Sequence, residues 1–569
     1  MRGERSTDGV RSCAAVTSAQ RLVREALRRC WLGRLAALRL WYDRGVSLDA
    51  FGVKNLRCLA DTGLVPIRPI TVLVGRNSSG KSTFLRAFPL LRQSVETARN
   101  SPILWYHERY VDLGSLKDAA NNQLDDPSVT FRFQLRLPKG AYVAIGDPLF
   151  DIAVTLAGGE IPHVSAYEIR VEGHEVRWSF DERGRAQSLV VNGTNEVLNF
   201  LGAVSLGGRA YLWPTLQPGE TSSVSYQAAP EVFQLDTIDY HTRADDVLLR
   251  LVAGRLYPLF HGNTSNDTID QVADGLWAGE RSAMRQQLAL QSNQRQFQQN
   301  VNALDELVFE RIVVSVLARL SPFIIEAADQ VLAHFVSRVS YLAPLRVSAQ
   351  RAYRIQNLAV EEVDPDGENL AMFLRSLSPP ESESFAAFTR GALGFETTVK
   401  ATGIHAEILV KGGGSKKFVN LVDVGFGYSE VLPLAAVLWA SCIRPTTQQR
   451  EPAPLVAIEQ PELHLHPAHQ SKLARMMVEA MQRSRAAGGG SKILVETHSE
   501  SLINGLGKLV YEDVIKADDI QIALFDQDEE TGQTTVRLAG YRDNGALHDW
   551  PYGFLSPVAE RRSRPAAAE

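Results

Sequence analysis

Eight residues carry the strongest chemical signal in the chain. Gly75-Arg76-Asn77-Ser78-Ser79-Gly80-Lys81-Ser82 matches GxxxxGK[ST] in full. Glycines let the backbone N–H groups of such a loop turn inward around phosphate oxygens. Lys81 can reach β- and γ-phosphates, and the Ser82 hydroxyl can ligate magnesium. Asn77, Ser78, Ser79 and Thr83 belong to the same cradle. The implied chemistry is binding of a nucleoside triphosphate, here ATP, with Mg2+.

A second signal closes the run Leu455-Val456-Ala457-Ile458-Glu459-Gln460-Pro461-Glu462. Ligands of α/β sheets gather at the carboxyl ends of strands. An acid there can hold magnesium through water, so Glu459 joins Ser82 as the expected metal pair. The blander reading, a solvated acid in a strand-to-loop turn, is weakened by the phosphate loop upstream. His464, His466 and His469 follow at once. Three histidines invite a zinc site, but no cysteine lies nearby, and a loop at a subunit contact is the better expectation. His498 follows the apolar run 493–495 and Glu496. It is placed to bond a γ-phosphate or the attacking water; the alternative is a helix cap.

Elements must hold these groups in place. Ile70-Thr71-Val72-Leu73-Val74 reads as a buried strand ending at Gly75. Phe84, Leu85, Phe88 and Leu91 give the next segment a helical apolar face, and Pro89 is expected to bend or end that helix. The phosphate loop therefore sits between a strand and a helix N-terminus, whose positive end favours anions. Runs at 455–458 and 492–495 flank a helical pattern at 468–483, a β-α-β unit that favours a parallel sheet. Residues 128–200 alternate like antiparallel strands, with an Asn192-Gly193 turn. Residues 270–335 are helical in pattern, including a glutamine-rich stretch at 286–300. A strand is expected at 336–341 and a helix at 431–441. Segments 521–525 and 534–538 read as a hairpin. The implied organisation is an extension at 1–45, poorly ordered or added by an upstream start; an ATPase lobe with an antiparallel β region at 46–200; a mainly helical insertion at 201–335; a second ATPase segment at 336–520; a C-terminal hairpin and end at 521–555; and a disordered tail at 556–569.

Bulk properties narrow the class. The chain has 569 residues, 45% hydrophobic, with net charge −5. That is ample for a core and gives no global signal of nucleic-acid binding. Four scattered cysteines, none in a CxxC pair, fit a reducing cytoplasm. No apolar run is long enough to span a membrane.

Taken in order, the phosphate loop, Asp423-Val424-Gly425-Phe426-Gly427-Tyr428-Ser429-Glu430, the segment 459–467 and Glu496-Thr497-His498-Ser499-Glu500 resemble the bacterial AAA ATPases of the ABC/SMC/OLD superfamily. The closing Asp549-Trp550-Pro551-Tyr552-Gly553-Phe554 resembles the "dWPxGF" end of one subgroup, as do segments 111–115, 341–346 and 364–369. The resemblance implies an α/β P-loop NTPase of ABC-ATPase type with an antiparallel β lobe and a helical insertion. It implies that Gly425, Gly427 and Ser429 contact the γ-phosphate held by a second subunit, and that His498 is the switch histidine. Gln93 and the segment around Asp112 both qualify for the glutamine-loop role. One departure stands out. The superfamily usually follows the Walker-B acid with a second acid that polarises water, and this chain has Gln460. An amide cannot take a proton as a carboxylate does, so Glu462 or another acid substitutes, or hydrolysis is slow.

Motifs set nucleotide chemistry and leave purpose open. The resemblance favours an ATP-gated homodimeric clamp or regulator, of the phage-defence and DNA-maintenance kind, controlling a nuclease partner. An SMC-like DNA-binding repair ATPase is the alternative, with Arg346, Arg351 and Arg354 as candidate groove residues. An OLD-like nuclease, its TOPRIM acids at Glu496, Asp526 and Asp528, is the weaker third, because the hairpin pattern makes both aspartates turn residues.

Overall fold

The computed structural model describes residues 47–550 apart from 124–125, 138–147, 159–160, 196–203, 208–210, 219–223, 229–230, 236–243, 357–359, 413, 416, 425 and 445–452. The expected extension at 1–45, Gly425, and the closing Pro551, Gly553 and Phe554 with the tail behind them lie outside the described residues. The described residues form two compact units. The first holds those up to Val53, Thr97–Leu104 and Leu116–Phe335; the second holds Lys54–Glu96, Trp105–Ser115 and those from Val336 onward. The first described strand, β1 (Ser47–Leu56), contributes to both.

In the first unit, Ser128–Arg136, Leu149–Ala157, His163–Val171, His174–Phe180 and Ala186–Val191 pair antiparallel in succession. Val129, Phe131, Phe133 and Leu135 are buried while their neighbours are only partly so, the period-2 pattern of a sheet with one face in a core. The start of the stretch expected as a mainly helical insertion forms two short hairpins, Val204–Gly207 with Thr215–Pro218 and Val224–Ala228 with Glu231–Leu235, then a helix, Ala244–Leu256. The glutamine-rich stretch divides between helices Arg281–Leu290 and Arg295–Asn302. Phe297 and Val301 bury one side of the latter and leave the polar residues outward. The long helix Glu306–Val336 follows, and Ser321 on it accepts a 2.8 Å hydrogen bond from the Trp178 indole.

The second unit is built on a sheet in the order β2-β8-β7-β3-β6-β5-β4. Its strands are β2 (Leu59–Asp61), β3 (Ile70–Gly75), β4 (Ser340–Leu342), β5 (Leu455–Glu459), β6 (Lys492–Glu496), β7 (Ile520–Gln527) and β8 (Thr534–Tyr541). From β7 through β4 the neighbours are parallel, and β7 and β8 form the antiparallel hairpin. β3 and β5 are buried along their whole length, which is why they read as continuous apolar runs rather than alternating ones. Helices α1 (Lys81–Glu96), α2 (Phe426–Cys442), α3 (Pro467–Ala486) and α4 (Glu500–Tyr511) accompany the sheet.

Three local expectations shift. α1 continues through Pro89 to Glu96, with Phe84, Leu85, Phe88, Leu90 and Leu91 all buried; burial on this scale outweighs the hydrogen bond that proline removes. α2 begins at Phe426, so Gly427 and Ser429 lie in its first turn, and the Tyr428 ring packs edge-on against Phe395. The segment expected as a strand from 336 is still helical at Val336, and the strand starts only at Ser340.

Candidate active site

Every site residue that can be placed belongs to the second unit. β3 delivers the phosphate loop at the carboxyl edge of the sheet, with Gly75 registered on Phe525 of β7. A Cβ on Gly75 would lie 2.5 Å from the Phe525 carbonyl oxygen and 2.6 Å from Ser79 Oγ. Gly80 has φ +87°, and a Cβ there would lie 2.6 Å from Leu59 Cδ2. Both positions therefore require glycine, one for space and the other for backbone shape as well. Ser78 also takes a left-handed φ, +64°. Lys81 is buried and folds back over the loop, Nζ donating to the Arg76 carbonyl at 2.6 Å. Burial lowers its pKa, against the charges of Glu496 and Glu462. The Ser79 hydroxyl is buried with no hydrogen-bond partner. Thr83 is buried and Asn77 is exposed. A loop bent by glycines around an unpartnered hydroxyl and a buried cation fits a phosphate chain.

The acids come from β5 and β6. These strands are parallel, with Glu459 registered on Glu496, so both carboxylates leave the same face, on strands about 4.8 Å apart. α1 meets them with Ser82 and Arg86, one helical turn apart and thus on one side. Arg86 binds Glu459 through both oxygens, Nε to Oε1 and Nη2 to Oε2 at 2.8 Å each. Tyr341 of β4 donates to Glu459 Oε1 at 2.7 Å. Ser82 Oγ donates not to Glu459 but to Glu496 Oε1, at 2.9 Å. Both acids are 1% exposed. Burial pushes the Glu496 pKa up, against the Ser82 hydrogen bond. Sequence reasoning missed Arg86, and placed Glu496 in the switch segment or among the TOPRIM acids without pairing it with Ser82; the spacing of Arg86 four residues after Ser82 was the available signal.

Gln460 takes φ +41°, and its backbone N–H donates to the Glu496 carbonyl at 2.9 Å. Its amide Nε2 lies 3.4 Å from Glu496 Oε1. Glu462, 8% exposed, accepts the His498 backbone N–H at 2.6 Å; burial raises its pKa, against that hydrogen bond. Burial, and then the Lys81 charge, lower the His498 pKa and keep its imidazole neutral near pH 7. The cap of α4 is Ser499 rather than His498: its side chain accepts from Leu502 N at 3.0 Å and donates to Gln470 Oε1 at 2.7 Å. Gly427 and Tyr428 approach Leu465 and His469, the Tyr428 and His469 rings standing 6.5 Å apart. Ser429 is buried, and His464, His466 and His469 are exposed. Among the described residues no three His, Cys, Asp or Glu side chains are grouped to hold a metal. A magnesium ion would thus depend on the nucleotide's own oxygens beside Ser82 and one carboxylate, the usual habit of that ion.

Other candidates settle elsewhere. Gln93 is fully buried and exchanges hydrogen bonds with the backbone of Val111. Arg346 is buried facing Glu430 at 3.5 Å, and Arg351 pairs with Asp423 at 2.6 Å. Asp526 pairs with Arg537, and Asp528 accepts the backbone N–H groups of Glu530 and Thr531 in the hairpin turn.

A glycine-bent phosphate loop at the carboxyl edge of a mostly parallel sheet, with an acid-ended strand one strand removed, defines a P-loop NTPase. The chain belongs to the family described as "AAA domain, putative AbiEii toxin, Type IV TA system", whose model matches residues 70–180 and 238–504. It is an ATP-hydrolysing enzyme. Similar solved structures include the Smc head bound to the C-terminal winged-helix domain of ScpA, at 12% identity over 87% of this chain and 97% of that one, TM-score 0.31. The Pyrococcus furiosus Smc head with an extended coiled coil, bound to the C-terminal domain of ScpA, has the same identity and coverage and TM-score 0.32. The Thermotoga maritima SMC head follows at 11% identity over 86% and 98%, TM-score 0.30. No curated protein matches the chain.

Proposed function

We propose that this ATPase is a slow, ATP-gated dimeric clamp that controls a partner effector, with phage defence as its setting. Lys81 and the inward backbone from Gly75 to Thr83 bind and orient the triphosphate. Magnesium, when bound, supplies charge neutralisation at the phosphoryl oxygens, and Ser82 with the acids beside it is where this chain would hold it. Neutral His498 and the amide of Gln460 orient water at the same edge. An amide can position water without accepting its proton, which supports slow turnover.

The observation that carries the clamp is the surface leading into α2. Phe418 and Val422 are each 41% exposed, and Val419 nearly as much, all within ten residues of Gly427. Leu345 and Val347 are exposed on either side of buried Arg346, which faces Glu430 of α2. Exposed apolar side chains this close in sequence to α2 suit an interaction site, and His464 and His466 lie exposed on either side of Leu465, which Gly427 approaches. The occupant is a second copy of the chain, whose bound nucleotide Gly425, Gly427 and Ser429 would meet. The phage-defence setting and the nuclease partner rest on the subgroup resemblance.

Light scattering on a sizing column, with phosphate release, tests this for wild type and Lys81→Ala. ATP should drive wild type to a dimer with slow release and leave the variant monomeric. Fast turnover with no change of mass would end the clamp reading. A large stimulation by duplex DNA would favour the SMC-like alternative, although Arg346 is buried and Arg351 already paired.

A further inference from the structure

The carboxylate that meets the phosphate-loop serine comes from the strand beside β3, not from the strand that ends in the Walker-B acid. β6 lies between β3 and β5, so Glu496 is one strand from Gly75 and Glu459 is two. Arg86 and Tyr341 together give Glu459 three hydrogen bonds, and the guanidinium matches its charge. A carboxylate so occupied has little left to offer a cation. Glu496 is committed less fully: the Lys81 charge acts on it, but its hydrogen bonds fall on one oxygen alone. Its Oε1 receives the Ser82 hydroxyl and faces the Gln460 amide. Its Oε2 is buried and has no hydrogen-bond partner. A buried carboxylate oxygen without a donor is costly, and a divalent cation seated beside Ser82 would offset that cost. Gln460 then has a clear role. A second acid at that position would stand against Glu496, whereas an amide N–H faces it favourably.

We infer that Glu496, rather than Glu459, supplies the protein carboxylate of the divalent-cation shell beside Ser82. Glu459 is a positioning residue that ties α1 to β5 through Arg86. The inference rests on the reading that the phosphate loop binds a metal nucleotide.

The test uses the full chain with Mn2+ as the probe and a non-hydrolysable ATP analogue, free Mn2+ being followed by electron paramagnetic resonance. Nucleotide binding in EDTA is measured in parallel with a fluorescent analogue. Glu496→Gln should weaken Mn2+ binding about tenfold or more, the scale for losing a group that supports a metal shell, and leave binding in EDTA within about twofold of wild type. Should Glu496→Gln fail to fold, Glu496→Asp, which keeps the charge but withdraws it by one methylene, is read in the same way. Wild-type Mn2+ affinity in the Glu496 variant, with loss in Glu459→Gln instead, overturns the assignment and leaves the nucleotide reading intact. If wild type and Lys81→Ala alike bind no nucleotide, both readings fall.

Discussion

At the scale of single residues, the site is organised by how charge is divided. Two acids in register on neighbouring parallel strands repel one another, and α1 answers with two different groups four residues apart. Arg86 neutralises Glu459, and Ser82 donates to Glu496 without neutralising it. The second acid therefore keeps one oxygen, Oε2, to give to a ligand. A different buried acid lies in the first unit. Asp329 accepts backbone N–H groups from Tyr211, Leu212 and Trp213 at 2.6–2.8 Å. Burial outweighs those three bonds and pushes its pKa up to about 6. Between the ordinary carboxyl value near 4 and about 6 the folded chain thus holds a proton that the unfolded chain has released. Its contribution to stability is fully present below pH 4 and is lost as pH rises through 6. At 1.36 kcal/mol per pKa unit this amounts to about 3 kcal/mol. Asp329→Asn cannot titrate, so denaturant unfolding of wild type minus variant should change by roughly that amount between pH 4 and 7. A flat difference would show that the folded carboxyl has an ordinary pKa.

At the scale of elements, what was legible in the sequence was local. The phosphate loop, its strand and its helix are set by spacing within about twenty residues, and so are the acid ending β5 and the hairpin β7–β8. The approach of Ser82 to Glu496 was not legible, because it depends on which strand lies between β3 and β5. No property of residues 492–496 alone states their neighbours. The same holds for Tyr341, which reaches Glu459 only because β4 pairs with β5. α1 shows the opposite limit: Pro89 is a strong local signal, overridden by what the helix buries. The turn after β6 joins both kinds of information. Glu462 holds the His498 backbone N–H, and Ser499 caps α4 while bonding Gln470 of α3. His498 is thus aimed by a helix start rather than by its own side chain. Ser499→Ala removes the cap and the bond to Gln470. It should cost about 1 kcal/mol in denaturant unfolding and lower phosphate release more than nucleotide affinity. Unchanged release at reduced stability would show that the cap does not position His498.

At the scale of the whole molecule, the proposed clamp depends on apolar side chains left partly exposed at the entry to α2. Val422 lies in the short turn before α2, two-fifths exposed, and adds little to the core by being apolar. Its neighbour Asp423 is already tied to Arg351, so the turn has its own anchor and should keep its shape when residue 422 is changed. Val422→Glu should therefore alter stability by no more than about 0.5 kcal/mol, the scale of surface substitutions. In a dimer closed over nucleotide, that carboxylate would be buried facing a second copy of the same apolar surface, and an unpaired buried charge is strongly unfavourable. The variant should bind nucleotide as wild type does, melt at the same temperature, and fail to gain mass with ATP on a sizing column with light scattering. Because the loss of dimer is predicted without loss of binding, the result separates the clamp from the phosphate loop. Dimerisation of Val422→Glu at wild-type ATP concentrations would move the subunit contact away from this face and remove the role proposed for Gly427 and Ser429.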